Sequence, residues 1–300
     1  MFTQFFGSYL LNNRIVSNEN LKEALETSKN TRVKLGVLAI NAGYMTAEQV
    51  DEIHDIQATV DKRIGDIAVD MGYMTSSQVD ELLASQNVGY LSLGQALVDK
   101  GFMTNVQFEQ AVSNYKKDNK IEYLTNNAEQ NEKIDKIFTH FFEFDHSPNA
   151  KLYNDYVSLL FRNIIRFIGD DFIPLKAYDI KNYPSDILVT QEITGDFKAF
   201  VAINCNEKSF INLASRFANE QFTKLSEYTN ASVGEFLNLQ DGLFCVNISN
   251  EKGMELDLKP QKIHTKTDLE NLDNAYLIPV SFSFGNIDFI ISSNNPLNNQ

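Results

Sequence analysis

The sequence predicts two domains: an all-α module of four 29-residue helical-hairpin copies, followed by an α+β domain with an antiparallel sheet. Three observations support this. The chain has 300 residues, which is long for one hydrophobic core. Its first third repeats one phrase at a fixed interval, and its second half contains paired strand-like segments with helical segments between them. We place the repeat module at residues 1–117, a linker at 118–133 and the α+β domain at 134–300.

Composition excludes several classes of function. The net charge is −14 and no run of Lys or Arg forms a basic stripe, which argues against a nucleic-acid partner. The N-terminal segment lacks a basic n-region, and no segment is apolar for long enough to span a bilayer, so we expect a cytoplasmic protein without membrane insertion. Cys205 and Cys245 lack C-x-x-C spacing and lie in apolar segments, which predicts that they are core residues in a reducing compartment. The four histidines are scattered, so no metal site is expected.

The repeated phrase is "AGYMTAEQV" from Ala42, "MGYMTSSQV" from Met71 and "KGFMTNVQF" from Lys100. Two series of glycines keep the same 29-residue step: Gly36, Gly65 and Gly94, and then Gly43, Gly72 and Gly101. One further step back from Gly36 reaches Gly7. The sequence therefore contains four copies, of which the first is degenerate.

Each copy predicts a short helical hairpin. The first helix is apolar and ends at a glycine of the second series, where a left-handed residue is typical. The second helix begins with a Thr-x-x-Gln capping box, at Thr46–Gln49, Thr75–Gln78 and Thr104–Gln107. One face of the second helix is apolar, so neighbouring copies are expected to stack and bury what a single hairpin leaves exposed.

The first and last residues of the two middle copies are not required for this packing. The residue before the apolar-Gly pair is Lys34 in copy two and Arg63 in copy three, and the copies end with Gln57 and Gln86. The outer copies lack this combination of a cation and an amide. Either the middle pair binds a ligand, or the repeats are only a packing or docking scaffold.

The segment "RIGDIAVDMGYMTSSQVDELLASQ", Arg63 to Gln86, resembles the repeat of the MshEN family, the N-terminal domain of type II secretion and type IV pilus ATPases. In that family two tandem motifs of this kind, joined by a short spacer, bind cyclic di-GMP. The resemblance implies that Arg63 and Gln86 contact the ligand, with Lys34 and Gln57 as their counterparts. A guanidinium can donate two hydrogen bonds to guanine, whereas Lys34 offers only a point charge.

A polar segment from Asn114 to Lys133 contains neither Gly nor Pro, and predicts a linker or a solvated helix. It is followed by "IDKIFTHFFEF", whose apolar residues fall on one helical face. We interpret that face as part of a core.

The second half begins with an amphipathic helix from Tyr153 that ends at Gly169. Two hairpins are predicted, "DILVTQEITGDFKAFVAI" with a two-residue turn at Gly195-Asp196 and "AYLIPVSFSFGNIDFIIS" with a turn at Gly285-Asn286. Helices are expected from about Glu207 to Ala218 and from about Thr229 to Leu239, with "LFCVNIS" as a strand after the second. Hairpins with helices between them indicate an α+β domain with an antiparallel sheet, including a strand in "FIPLKAYDI".

The segment "NASVGEFLNLQDGLF" carries the candidate chemistry of this half. Glu235 and Asn238 are three residues apart and hence neighbours on one helix face. A second E-x-x-N, Glu227 with Asn230, is expected to end one helix and cap the next. On the residues alone, Glu235 and Asn238 form either a functional site or an exposed polar face of a core helix.

The context of Glu235 and Asn238 resembles the CheX type of chemotaxis phosphatase over roughly Tyr153 to Ser292. The matching residues are Val233, Gly234, Glu235, Asn238, Gly242 and Pro260. Two departures exist: Ala231 replaces the usual acidic or hydroxyl residue, and Pro260 lies about one place early. In the CheX family the asparagine amide holds the attacking water in line with a regulator's aspartyl phosphate, and the glutamate pairs with a lysine of the regulator.

The two resemblances imply a cytoplasmic signalling protein whose α+β domain is a phosphatase of a phosphorylated CheY-like receiver domain, regulated by cyclic di-GMP at the repeats. No intrinsic cofactor or metal is implied, since Mg²⁺ and the labile phosphate belong to the partner. CheX-like domains are commonly dimers, so a homodimer is also an expectation. The alternative is a non-enzymatic adaptor that binds nucleotide or protein partners near a pilus or flagellar motor. Ala231 favours the adaptor, and retention of Glu235 with Asn238 favours the enzyme.

Overall fold

The computed structural model describes residues 2–28, 31–84, 89–118, Phe142, Phe144 and 147–299. The chain folds as two compact units, Met1–Lys133 and Ile134–Gln300. Most of the expected linker, and the helical face expected after Ile134 up to Phe141, lie outside the described residues. Phe142 and Phe144 are described, and both are buried. In the described part of the chain, no helix has the length and apolar character needed to cross a membrane.

The described residues of the first unit form eight helices, which confirms its all-α character. They are α1 Phe2–Asn12, α2 Asn18–Ser28, α3 Leu35–Ala42, α4 Ala47–Gln57, α5 Ile64–Asp70, α6 Ser76–Ala84, α7 Gly89–Asp99 and α8 Asn105–Asp118. Helices α3, α5 and α7 end at left-handed glycines, as predicted: Gly43, Gly72 and Gly101 have φ of 71°, 73° and 69°. The three capping boxes are also present, with both reciprocal hydrogen bonds made in each.

The other glycine series has a role that the sequence alone did not assign. Each of these glycines lies inside a helix and faces a side chain of the following helix. A Cβ at Gly36, Gly65 or Gly94 would lie 2.7 Å from Val50 Cγ1, 2.9 Å from Val79 Cγ1 or 2.3 Å from Phe108 Cε2, respectively. The 29-residue step therefore repeats a close approach of two helices as well as a cap.

The packing of the hairpins differs from a simple stack of neighbours in sequence. Helices α1 and α2 both pack on α7, and α3 contacts each of α4 to α8. Aromatic residues of the degenerate first copy explain the difference. Phe6 packs edge-on against Tyr90, Phe108 and Tyr115, with ring centroids 5.6, 6.4 and 5.2 Å apart. The first hairpin is thereby buried by the last one.

The second unit contains three described α-helices and eight strands. They are α9 Ala150–Asn163, extended by a π-helical turn Ile164–Ile168, β1 Phe172–Pro174, β2 Tyr178–Ile180, β3 Ile187–Gly195, β4 Ala199–Cys205, α10 Glu207–Ala218, α11 Glu227–Lys252, β5 Leu256–Leu258, β6 Lys262–Thr265, β7 Ala275–Phe282 and β8 Gly285–Ser292, followed by the 3₁₀ helix Pro296–Asn299.

The strands form one sheet in the order β1-β7-β8-β4-β3-β5, with β2 also on β7 and β6 also on β3. Every pairing is antiparallel, which confirms the predicted α+β class. Each edge of the sheet consists of two short strands that share one neighbour.

The two faces of the sheet are buried in different ways. On one face α11 packs against β3, β5 and β6, while α10 contacts β8 and α11. On the other face a cluster forms around Leu188, Phe200, Leu277 and Ile290. The period-2 alternation of the strands supplies both cores.

The predicted strand "LFCVNIS" is wrong, because these residues continue α11. Phe244, Cys245 and Ile248 are buried, whereas Leu243 and Val246 are 36% and 56% exposed. Buried positions separated by one, three and four residues follow the helical period, not that of a strand. The helix ends where Gly253, with φ of 67°, provides the left-handed cap.

Both predicted hairpins are present, but the first turn is longer than the predicted Gly195-Asp196 and the second lies two residues before the predicted Gly285-Asn286. The last pair before the first turn is Ile193 with Ala199, and Gly195 pairs instead with Leu256 of β5. In the second hairpin Phe282 pairs with Gly285, so the two-residue turn is Ser283-Phe284. Arg216 of α10 fixes that turn, donating to Ser283 Oγ at 3.3 Å and lying 4.6 Å from the Phe284 ring centroid.

Candidate functional site

Helix α11 is the platform of the site in the second unit. Its N-terminus is closed by a capping box in which Ser226 N donates to Thr229 Oγ1 at 2.8 Å and Thr229 N donates to Ser226 Oγ at 3.3 Å. The predicted capping role of Glu227 and Asn230 is therefore wrong. Both lie in the first turn of the helix, and the neighbouring Ser and Thr make the cap.

The structure places Glu235 and Asn238 one turn apart in the middle of α11. The Glu235 side chain is exposed and makes no hydrogen bond or ion pair with any residue that the structure describes. Asn238 is half-buried. Of the two predicted residues, Glu235 thus presents a carboxylate to solvent, and Asn238 places an amide between the solvent and the core.

The Asn238 amide is held by a strand residue that the sequence analysis did not identify. Gln191 of β3 donates through Nε2 to Asn238 Oδ1 at 3.0 Å and to the carbonyl oxygen of Lys259 at 2.9 Å. Gln191 is 2% exposed. The sequence signal for this role was a polar residue on the helix-facing side of β3, which is otherwise apolar.

The edge of the sheet contributes the third side of the site. β5 pairs with Ile193–Gly195 and β6 pairs with Ile187–Thr190 of the same strand, so the edge is interrupted at residues 259–261. Pro260 at this interruption has no N–H to donate to a ladder. Gln261, the next residue, covers Gly234, since its Cγ lies 3.2 Å from where a Cβ of Gly234 would be. The fold therefore brings the Pro260 segment to the helix positions of the predicted motif.

The outer face of α11 continues the site with apolar side chains. We define the outer stripe as Tyr228, Glu235, Leu239, Leu243 and Val246, which are spaced by seven, four or three residues and so share one helix face. Tyr228 is 76% and Val246 56% exposed. Gly242 lies beside the stripe, and a Cβ there would meet no atom within 4 Å. The stripe is an open surface, partly apolar, with one carboxylate.

The inner face of α11 is fixed to α9 by buried polar groups. Tyr156 donates to Asp241 Oδ1 at 2.7 Å, and burial raises the pKa of Asp241 to about 8. Asn163 donates to Gln240 Oε1 at 2.7 Å. Asp241 is thus a neutral acid at pH 7, and it has no place in charge-based chemistry at the outer face.

The residues predicted for nucleotide binding lie in the first unit. Lys34 and Arg63 occupy the N-cap positions of α3 and α5 with matching extended backbones, at φ/ψ of −81°/156° and −72°/147°. Gln57 donates to the carbonyl oxygen of Lys62 at 3.0 Å, which places it beside Arg63. Gln86 lies outside the described residues.

Lys34 already has partners. Its Nζ donates to Asp99 Oδ1 at 2.7 Å, and its backbone N–H donates to Gln95 Oε1 at 3.0 Å. The ion pair is largely exposed and so contributes little to stability. Arg63 is exposed, and the described residues include no ion-pair partner for it.

The described residues contain no group of three or more His, Cys, Asp or Glu side chains that could hold a metal ion. No protein-family model matches the chain, and no curated protein matches it.

Several solved structures are similar to the second half of the chain. The chemotaxis protein CheX from Desulfovibrio desulfuricans is 15% identical with a TM-score of 0.42, covering 48% of this chain and 99% of that one. CheX from Vibrio vulnificus is 17% identical with a TM-score of 0.41, covering 47% and 98%. The CheX–CheY–BeF₃–Mg²⁺ complex from Borrelia burgdorferi is 16% identical with a TM-score of 0.40, covering 47% and 96%.

Proposed function

We propose that this chain is a cytoplasmic signalling protein whose second unit docks a phosphorylated CheY-like receiver domain and hydrolyses its aspartyl phosphate. The observation that carries the proposal is the presence on α11 of an anchored amide, Asn238, one turn from an exposed carboxylate, Glu235, that has no partner among the described residues. An orienting group and a docking charge suffice for this reaction, because the receiver supplies the phosphorylated aspartate and its Mg²⁺.

The chemistry needs positioning more than acid–base catalysis. A water oxygen forms a bond to phosphorus as the bond from phosphorus to the receiver's carboxyl oxygen breaks, which releases inorganic phosphate and a free aspartate. The Asn238 amide can donate through Nδ2 to the phosphoryl group and hold it in line with the attacking water. Alignment of the attacking water reduces the entropic part of the barrier without any shifted pKa.

The outer stripe supports docking of a protein. Leu239, Leu243 and Val246 offer apolar area next to Glu235, which can pair with a cation of the partner. An apolar centre with a charge at its border is the usual arrangement of transient interfaces. Ala231 provides no acid or hydroxyl, so Glu235 is the ionisable group of this site that we assign to docking.

Kinetics of a phosphorylated receiver separate the two roles. Asn238→Ala should leave receiver affinity unchanged and slow dephosphorylation by orders of magnitude, because the amide acts on the transition state. Glu235→Ala should weaken binding as well as turnover. Asn230→Ala and Glu227→Ala are matched controls on the first turn of the same helix, and both should behave as wild type.

The adaptor alternative makes a different prediction for the same assay. If a cognate phosphorylated receiver binds the wild-type chain but loses phosphate at its intrinsic rate, the phosphatase proposal fails and the adaptor is favoured. The proposal also fails if Asn238→Ala retains full activity.

A second candidate function, in the first unit, is binding of cyclic di-GMP. It is favoured by the matched placement of Lys34 and Arg63 at helix N-caps and by the amide of Gln57 beside Arg63. In titration calorimetry, Arg63→Ala should weaken binding about ten- to a hundredfold, since a bidentate guanine contact is worth roughly 1–3 kcal/mol.

The ion pair of Lys34 with Asp99 provides an internal test of that candidate. Asp99→Asn should free Lys34 and tighten nucleotide binding, whereas Lys62→Ala, which removes a neighbouring cation outside the predicted set, should change nothing. Absence of heat from the wild type at high micromolar nucleotide would leave the repeats as a scaffold.

A further inference from the structure

Gln191 is buried beneath Asn238, and only one end of its side-chain amide makes hydrogen bonds. Both hydrogen bonds use Nε2, while Oε1 is buried and has no partner among the residues that the structure describes. An unsatisfied buried oxygen destabilises the fold, because nothing replaces the hydrogen bonds it makes with water in the unfolded chain. A residue kept only for stability would not be expected to carry this penalty at a position where an apolar side chain would fit between Val189 and Ile193, which face the same side of β3.

The contacts of Gln191 determine which way the Asn238 amide points. The Lys259 carbonyl oxygen can only accept, so Gln191 must turn its NH₂ group toward it. The second hydrogen of the same NH₂ group is then donated to Asn238, which must accept it through its side-chain oxygen. The orientation therefore follows from a backbone acceptor, the Lys259 carbonyl.

This orientation leaves the donor end of Asn238 available. No described group accepts a hydrogen bond from Asn238 Nδ2. Asn238 is half-buried, and the exposed Glu235 carboxylate is one turn away on the same helix. The NH₂ group is therefore presented as a fixed donor at the border of the outer stripe.

We propose that Gln191 is a positioning residue, which, together with the Lys259 carbonyl, fixes the Asn238 amide with its oxygen inward and its NH₂ group toward the phosphoryl group of a docked receiver. The inference rests on the proposed function. It adds that the interrupted edge of the sheet, through Lys259, is part of the orienting machinery.

Two substitutions of Gln191 distinguish an Asn238 amide that is free to rotate from one that is fixed in the opposite orientation. Gln191→Met keeps the length of the side chain and removes both hydrogen bonds, so Asn238 can rotate. In Gln191→Glu, a protonated carboxyl places its hydroxyl oxygen where Nε2 stood, donates the one hydrogen to the Lys259 carbonyl and accepts from Asn238 Nδ2 through the same oxygen, which reverses the amide. With a phosphorylated receiver, kcat should fall roughly tenfold in Gln191→Met and roughly a hundredfold in Gln191→Glu, with KM unchanged.

Thr190→Val is the matched control. Thr190 is the adjacent residue of β3, is 3% exposed and bonds the same edge through the Lys262 carbonyl at 3.5 Å, but it faces away from α11. This variant should keep the wild-type kcat. Equal losses of kcat in all three variants would indicate a general loss of the edge strand and would overturn the proposal.

A second measurement is independent of activity. In full-length protein labelled with ¹⁵N at asparagine, the Asn238 NH₂ resonances, assigned by their loss in Asn238→Ala, should exchange rapidly with water in the wild type and become protected in Gln191→Glu. If both Gln191 variants fold and leave these resonances unchanged, Gln191 does not orient Asn238. If the resonances respond but no receiver is dephosphorylated by the wild type, the proposed function fails and the orientation stands. If Gln191→Glu does not fold, Gln191→Met decides by the same two measurements.

Discussion

Two glycines of α11 give a matched test of the surface described for this helix. Both lie in the helix interior, where replacing Gly by Ala gains about 0.8–1.0 kcal/mol of helix propensity. At Gly242 the added Cβ meets no atom within 4 Å, so Gly242→Ala should stabilise the second unit by nearly the full amount. At Gly234 the Cβ would lie 3.2 Å from Gln261 Cγ, which must move, so Gly234→Ala should gain little or lose stability.

Thermal unfolding of the full-length chain measures the difference. A change of about 1 kcal/mol corresponds to a Tm shift of roughly 2–4 °C for a unit of this size. Gly242→Ala should therefore raise the Tm of one transition by that amount, and Gly234→Ala should not. Gly36→Ala, whose Cβ would lie 2.7 Å from Val50, should shift the transition of the other unit and so assign the two. A lower Tm for Gly242→Ala would contradict an open surface at that position.

The same variant separates stability from docking. Gly242 lies one turn beyond Asn238 and beside the outer stripe, so a methyl group there projects toward an approaching receiver. We expect Gly242→Ala to be the more stable protein and the weaker partner, with a raised KM. Wild-type kinetics in this variant would place Gly242 outside the docking surface.

Two further predictions concern the cores. Burial holds the pKa of Asp241 at about 8, above the ordinary value of 3.8, so between these pH values the folded chain keeps a proton that the unfolded chain releases. The unfolding free energy of the second unit should therefore fall as pH rises from about 4 to about 8. Asp241→Asn should reduce this slope in urea titrations at several pH values and leave the part due to Asp288, whose pKa burial also raises. In the first unit, Gly94→Ala would bring a Cβ to 2.3 Å from Phe108 Cε2 and should destabilise by about 1–3 kcal/mol in urea, whereas a stabilised variant would contradict the close approach of the two helices.

The features predicted correctly from the sequence are those encoded by local contacts. The capping boxes and left-handed glycines of the repeats each depend on residues within one turn, and all were found where expected. The role of Gly36 and its equivalents was missed because a glycine inside a helix looks the same whether it faces solvent or a side chain of another helix.

The errors made for the second half of the chain concern features that depend on contacts between residues far apart in the sequence. The run from Leu243 to Ile248 has the composition of a strand, and only its burial against α9 shows the helical period. Glu235 and Asn238 could be identified from spacing within one helix. Gln191 and Lys259 could not be placed beside Asn238, because that contact depends on the register of β3 with an interrupted edge strand.

The split edges of the sheet have a consequence for association between copies of the chain. On one side the edge breaks between β5 and β6, and on the other it breaks between β1 and β2, where residues 176–177 leave the ladder. A second sheet that approached either edge would find runs of only three or four residues with free backbone groups. Such short runs disfavour the open-ended strand addition that leads to aggregation, and proline at both breaks, Pro174 and Pro260, reinforces this protection.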